Sequence, residues 1–75
     1  MWTMADRWYE DFNVRDVLVT ATGALSEADI IEFARLYDPQ PFHVDAIAAQ
    51  RSAYGGIIAS GWQLAAFAFR LFMDT

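Results

Sequence analysis

The sequence predicts an α+β fold: one N-terminal strand, two short helices and a longer apolar helix that the rest of the chain is too short to cover. Three observations carry this. β-Branched residues crowd into Val14 to Thr22. Helix-start residues stand at Ser26 and Asp45, each ahead of a helix-forming run. From Gly61 to Met73 the chain is apolar nearly all round, as a helix buried on every side would be.

Taken in order, residues 1 to 13 place Trp2, Trp8, Tyr9 and Phe12 among acids, an irregular arm whose aromatics need a surface to pack on. Val17, Leu18, Val19, Thr20 and Thr22 favour a strand over Val14 to Thr22, and Gly23 ends it. Ser26 is a helix cap, with Glu27 and Asp29 in the first turn complementing the helix dipole. The helix Glu27 to Leu36 aligns Ile30, Phe33, Ala34 and Tyr37 on one face, widened by Ile31. Glu32 and Arg35 face away from it. A second helix opens at Val44-Asp45 and runs to about Ser52, capped by Asp45. Gly55-Gly56 breaks the chain before the apolar helix.

Composition narrows the function. Seventy-five residues make one small domain, and such a chain buries only about 60% of its unfolded surface. There is no cysteine, so a disulfide, a thiol nucleophile and a thiolate metal site are excluded. A single histidine excludes a multi-histidine zinc site within one chain. The net charge of −5, with arginine as the only basic residue type, argues against nucleic-acid binding. Hydrophobic residues make up 56% of the chain, which argues for apolar surface that needs a partner. Tyr54 to Met73 approaches a membrane span in length, but Ser60, Gln63 and Arg70 interrupt it, and a buried helix fits better. The N-terminus has no basic region followed by an apolar one, so the expected location is cytoplasmic.

The chemistry points to Tyr37-Asp38-Pro39-Gln40-Pro41-Phe42-His43. It sets a carboxylate and the sole histidine five residues apart. Two prolines fix φ, remove backbone donors and bias their predecessors toward extended geometry. The expectation is a stiff, extended segment holding an acid and a base at a set separation, as proton transfer requires. The plainer alternative is a loop in which Asp38 merely ends a helix. Against it stands Tyr54-Gly55-Gly56-Ile57-Ile58-Ala59-Ser60-Gly61-Trp62, which brings free N–H groups at a helix N-terminus, suited to a developing negative oxygen.

Together these stretches resemble the front half of a MaoC-like, (R)-specific enoyl-CoA hydratase, a family with the hotdog fold. The resemblance rests on Tyr9-Glu10-Asp11-Phe12, Ser26 to Ala34, Asp38 to Asp45 and Gly55 to Gly61, in the family's order. The hydratase motif reads Asp, any residue, Asn, Pro, any residue, His. Asp38, Pro41 and His43 match it, and Gln40 stands where the hydratases have Asn. The resemblance implies a partial hotdog fold. Residues 1–75 would form one truncated hotdog domain, with most of the antiparallel sheet missing from the chain. It places the catalytic pair on Asp38 and His43, an orienting role on Gln40, and the oxyanion or substrate contact on the Gly61 N–H and Ser60, the latter also suiting a helix cap. The substrate would be a CoA thioester, with no separate cofactor and no metal.

Such a chain is expected to act as a homo-oligomer or beside a complementing chain. Burying Phe67, Phe69, Leu71 and Phe72 is worth roughly 6–12 kcal/mol before entropy. The alternative to a hydratase or dehydratase is a non-catalytic hotdog remnant that serves self-association or partner binding. A hotdog thioesterase is a weaker enzyme alternative, and a small membrane protein a remote one.

Overall fold

The structure, a computed structural model, describes residues 4–75. Trp2, expected in the aromatic arm, lies outside the described residues. Two single 3-10 turns, Met4–Asp6 and Tyr9–Asp11, begin the chain. Four helices follow: α1 (Glu27–Tyr37), α2 (Pro41–Val44), α3 (Ala46–Gln50) and α4 (Gly61–Met73). The three expected caps all form. Ser26 Oγ accepts from the Asp29 N–H, Asp45 Oδ1 from Ile47 and Ala48, and Ser60 Oγ from Trp62.

Two expectations about local structure are corrected. The strand over Val14 to Thr22 is absent, and no strand occurs among the described residues. Residues 13 to 16 form a turn, in which Asp16 N–H donates to Asn13 O and Arg15 takes a positive φ of 73°. Beyond it the chain carries no regular element, and exposure alternates along it: Val17 is 87% exposed, Leu18 37% and Val19 84%. β-Propensity alone does not make a strand, because a ladder needs a neighbour to exchange hydrogen bonds with.

The second correction concerns the two prolines, which do not hold Pro41 to His43 extended. Pro41 sits at the first position of α2, where its fixed φ suits a helix and its missing N–H would lack a partner anyway. Val44 belongs to this turn, so the helix expected from Val44-Asp45 to about Ser52 is α3, five residues long.

The packing is built outward from α1. Helices α2 and α3 pack on each other, and α2 packs on α1. Helix α4 is tied to α1 at two points: Gln63 Nε2 donates to Asp29 O, and Ser60 Oγ to the Asp38 carboxylate. The segment before α1 meets α4, with Gly23 so near Phe67 that a Cβ there would fall 2.8 Å from the ring. The arm closes on the far end of α4, where Phe12 meets Phe72 and Met4 N–H donates to Thr75 O.

Very little apolar surface is enclosed. Among the described residues the buried apolar ones are Met4, Ala34 and Ala49, and His43, Ser60 and Gln63 are buried too. The helix expected to be buried on all sides is open in this chain, with Trp62 77% and Phe69 61% exposed. No helix among the described residues is long and apolar enough to cross a membrane.

Candidate active site

Three elements converge on one carboxylate. Asp38 ends α1, where its N–H donates to Ala34 O. Its backbone then reverses around Pro39, as the Gln40 N–H donates back to Asp38 O at 2.8 Å. This reversal leads into α2, which carries His43. The loop after α3 returns the chain to the same place, with Ile58 N–H donating to Phe42 O, and delivers Ser60 at the start of α4.

The Asp38 carboxylate is engaged at both oxygens. Gln40 Nε2 donates to Oδ1 at 2.7 Å, and Ser60 Oγ donates to Oδ2 at 2.7 Å. Oδ2 also faces His43 Nε2 at 3.3 Å. The Asp38 side chain is 17% exposed and that of His43 5%. The Gln40 and Ser60 hydrogen bonds hold the Asp38 carboxyl below its ordinary pKa, helped by attraction to His43 and opposed by desolvation. Asp38 is therefore an anion at neutral pH.

The other histidine nitrogen fixes the ring. Nδ1 lies 2.6 Å from the Ile58 carbonyl oxygen. A carbonyl only accepts, so Nδ1 carries a hydrogen and donates it. In the neutral ring Nε2 then bears a lone pair and points at the carboxylate. The arrangement is repulsive unless a proton lies between them or a water alongside donates to both. Protonated, the same ring completes an ion pair. The Phe42 ring stands edge-on to the imidazole with centroids 4.6 Å apart, and Tyr54 packs on Phe42. The site can thus hold one proton between a fixed base and a fixed anion, or one water bridging the two from the side.

Of the residues singled out from the sequence, the structure joins Asp38, Gln40, His43 and Ser60 in one hydrogen-bonded cluster. Gly61 follows Ser60 at the first position of α4. The Trp62 N–H is capped by Ser60, and the Gly61 N–H takes no partner among the described residues. Asp38 and His43 meet because α2 turns, not because an extended segment spaces them. One contributor escaped the sequence reading. The Ile58 carbonyl is a backbone group and has no signature in residue type. Outside the cluster, Gln63, the polar residue that interrupts the apolar helix, is buried against α1 with Oε1 unpaired.

Among the described residues no group of three or more His, Cys, Asp or Glu side chains is gathered as a metal ion would need. Clefts open elsewhere among the described residues. One, of about 580 Å³, runs along Ala28, Ile31, Glu32, Arg35 and Leu36 of α1. Another, of about 260 Å³, lies between α3 and Gly55 to Ile57. Neither is lined by Asp38 or His43.

Comparison with known proteins gives this arrangement a context. A family model described as a MaoC like domain matches residues 11–75. The chain is 38% identical over 65 residues to YdeM of Bacillus subtilis, covering 87% of this chain and 46% of that protein. It is 36% identical over 69 residues to the protein MaoC of Klebsiella aerogenes, covering 91% of this chain and 21% of that one. Among solved structures, a MaoC-like dehydratase from Rhodospirillum rubrum superposes with a TM-score of 0.76 at 45% identity. That match covers 87% of this chain and 44% of the other. Each match thus spans less than half of the relative. Helices without a paired strand fit part of a hotdog fold.

Proposed function

The chain belongs to the MaoC-like dehydratase family, and from that premise we propose that its site adds water to, or removes it from, a CoA thioester. The substrate pair is a trans-2-enoyl-CoA and the corresponding (R)-3-hydroxyacyl-CoA. One observation carries the reading: the Asp38 carboxylate and His43 Nε2 face each other at 3.3 Å within a nearly closed cluster.

In the hydration direction a water lies against Asp38 Oδ2 and His43 Nε2. His43 takes one of its protons while the water oxygen bonds to C3. The C2–C3 double-bond electrons then move toward the thioester, and charge builds on its carbonyl oxygen. Asp38 keeps the water oriented and stabilises the imidazolium that forms. The proton held on Nε2 then passes to C2, so H and OH are both accounted for. Dehydration retraces these steps. The Gly61 N–H, at the positive end of α4, suits the developing oxyanion. Ser60 acts on the carboxylate and as a cap, and its contact with Asp38 favours that role over direct substrate contact.

CoA thioester is the substrate here, and the chemistry calls for no further cofactor or metal. The uncovered face of α4 favours a second polypeptide surface, another copy or a complementing chain, as part of the working unit. Nucleic acid and membrane are not among the proposed partners, and the proposed location is cytoplasmic.

The test is hydration of crotonyl-CoA, followed by loss of the enoyl thioester absorbance, with the mass in solution measured on the same sample. Asp38→Ala and His43→Ala are each expected to lower turnover by about 10²- to 10⁴-fold. The open α4 face also favours a second reading, a non-catalytic association module. A folded oligomer with no turnover would select that reading and reject the first.

A further inference from the structure

We propose that Gln40 is the positioning residue of this site: its amide clamps Asp38 Oδ1, so that Oδ2 alone is presented to His43 and Ser60. Its consequence for catalysis rests on the hydration reading above. The clamp itself does not.

Gln40 occupies the N-cap of α2, with extended φ and ψ of −73° and 144°. Side chains at this position normally accept a hydrogen bond from the first helical turn, and Asn does so well. Gln40 makes no such bond. The His43 N–H that a capping side chain would serve is already held by the Gln40 backbone carbonyl at 2.9 Å. The Gln40 amide is instead free to turn back, and the tight reversal around Pro39 brings Asp38 within its reach. The hydratase motif has Asn at this place. The extra methylene of Gln therefore carries the amide away from the helix and onto the carboxylate.

A carboxylate with one contact can swing about its terminal torsion, because that torsion is broad. Contacts on both oxygens remove this freedom. Within the Asp38 to Gln40 turn the group facing the carboxylate is the neutral Gln40 amide. From the α4 cap it is the neutral Ser60 hydroxyl, and from α2 it is the His43 imidazole. Two neutral donors favour the charged carboxylate over its acid. The anion is thereby kept for orienting the water and the imidazolium, and proton traffic is confined to His43. The direction of the Asp38 pKa, lowered chiefly by Gln40, agrees with this geometry.

The experiment is a carbon-13 titration of the Asp38 carboxyl in the 75-residue chain and in two variants. Gln40→Met keeps the length and removes the donor. Gln40→Leu removes the donor with a branched side chain of similar size. Both are expected to move the Asp38 midpoint upward. An unchanged midpoint in either variant, with wild-type amide dispersion retained, overturns the clamp. Crotonyl-CoA hydration is measured in parallel, where Gln40→Met should lower kcat by about tenfold through misplacement of the water. KM should change little, because the clamp acts on the water and the carboxylate and not on the thioester. Absence of turnover in the wild-type chain would sink the hydration reading, and the titration would still decide the role of Gln40.

Discussion

Asp38 gathers more polar partners than any other side chain described, and its pKa makes that a statement about stability. An unfolded aspartate titrates near 3.9, and in the folded chain the value is lowered, first by Gln40 and then by Ser60. A depressed carboxylate adds stability that is fully present above the unfolded value and is lost as pH falls through the folded one. Urea unfolding across the acid range should therefore show wild type losing stability more steeply than Asp38→Asn below the ordinary carboxylate range. Parallel curves would show that the cluster does not couple to folding. At this scale the sequence was informative about residue type: a carboxylate and a lone histidine around two prolines named Asp38 and His43. It was silent on the Ile58 carbonyl that orients the ring, because every residue has a carbonyl and only the fold chooses one.

Among the elements, α4 was the most legible and α2 the least. Gly61 to Met73 could be bounded from sequence because a cap, a glycine and a mostly apolar run coincide there. Helix α2 is one turn long, and its proline can mean either extended chain or first helical position. Four residues carry no periodicity to decide between them. Likewise, β-propensity over Val17 to Val19 could not supply a partner strand, and no strand forms there. Helix α4 also makes a separable prediction. Gly61 stands at its first position with open space where a Cβ would be. Gly61→Ala should therefore raise stability by about 0.4–1 kcal/mol, by limiting the unfolded chain. The added methyl would crowd a thioester oxygen approaching the same N–H, so kcat/KM should fall while the melting temperature rises. A rise in both would remove Gly61 from the oxyanion role.

The whole molecule is far from a sphere. Its radius of gyration is 16.0 Å, against about 11 Å for a compact chain of this length. It extends 46 Å along its longest axis and 19 Å along its shortest. Trp62, Leu64 and Phe69 lie exposed along α4, and Val17 and Val19 in the segment before α1. Sedimentation should show mass rising with concentration, and Phe69→Asp should shift the dissociation to higher concentration. A monomer throughout, with no uptake of an apolar dye, would contradict this. The need for cover was legible from composition, since so apolar a chain of this length cannot enclose its own hydrophobic residues. The identity of the cover was not, because an apolar face specifies area and shape but no particular occupant.

The bond between His43 Nδ1 and the Ile58 carbonyl has a kinetic meaning. An imidazole held this way cannot turn over, so only one of its nitrogens can load and unload. The ring is also shielded from solvent on nearly every side. In the proposed hydration, a proton taken from the bound water has no second exit and must leave by the door through which it came. Isotope carried into the site would then travel to carbon before it mixes with the bulk. A deuterium on C2 of the hydroxyacyl thioester should, in the reverse direction, return to carbon in part instead of washing out completely.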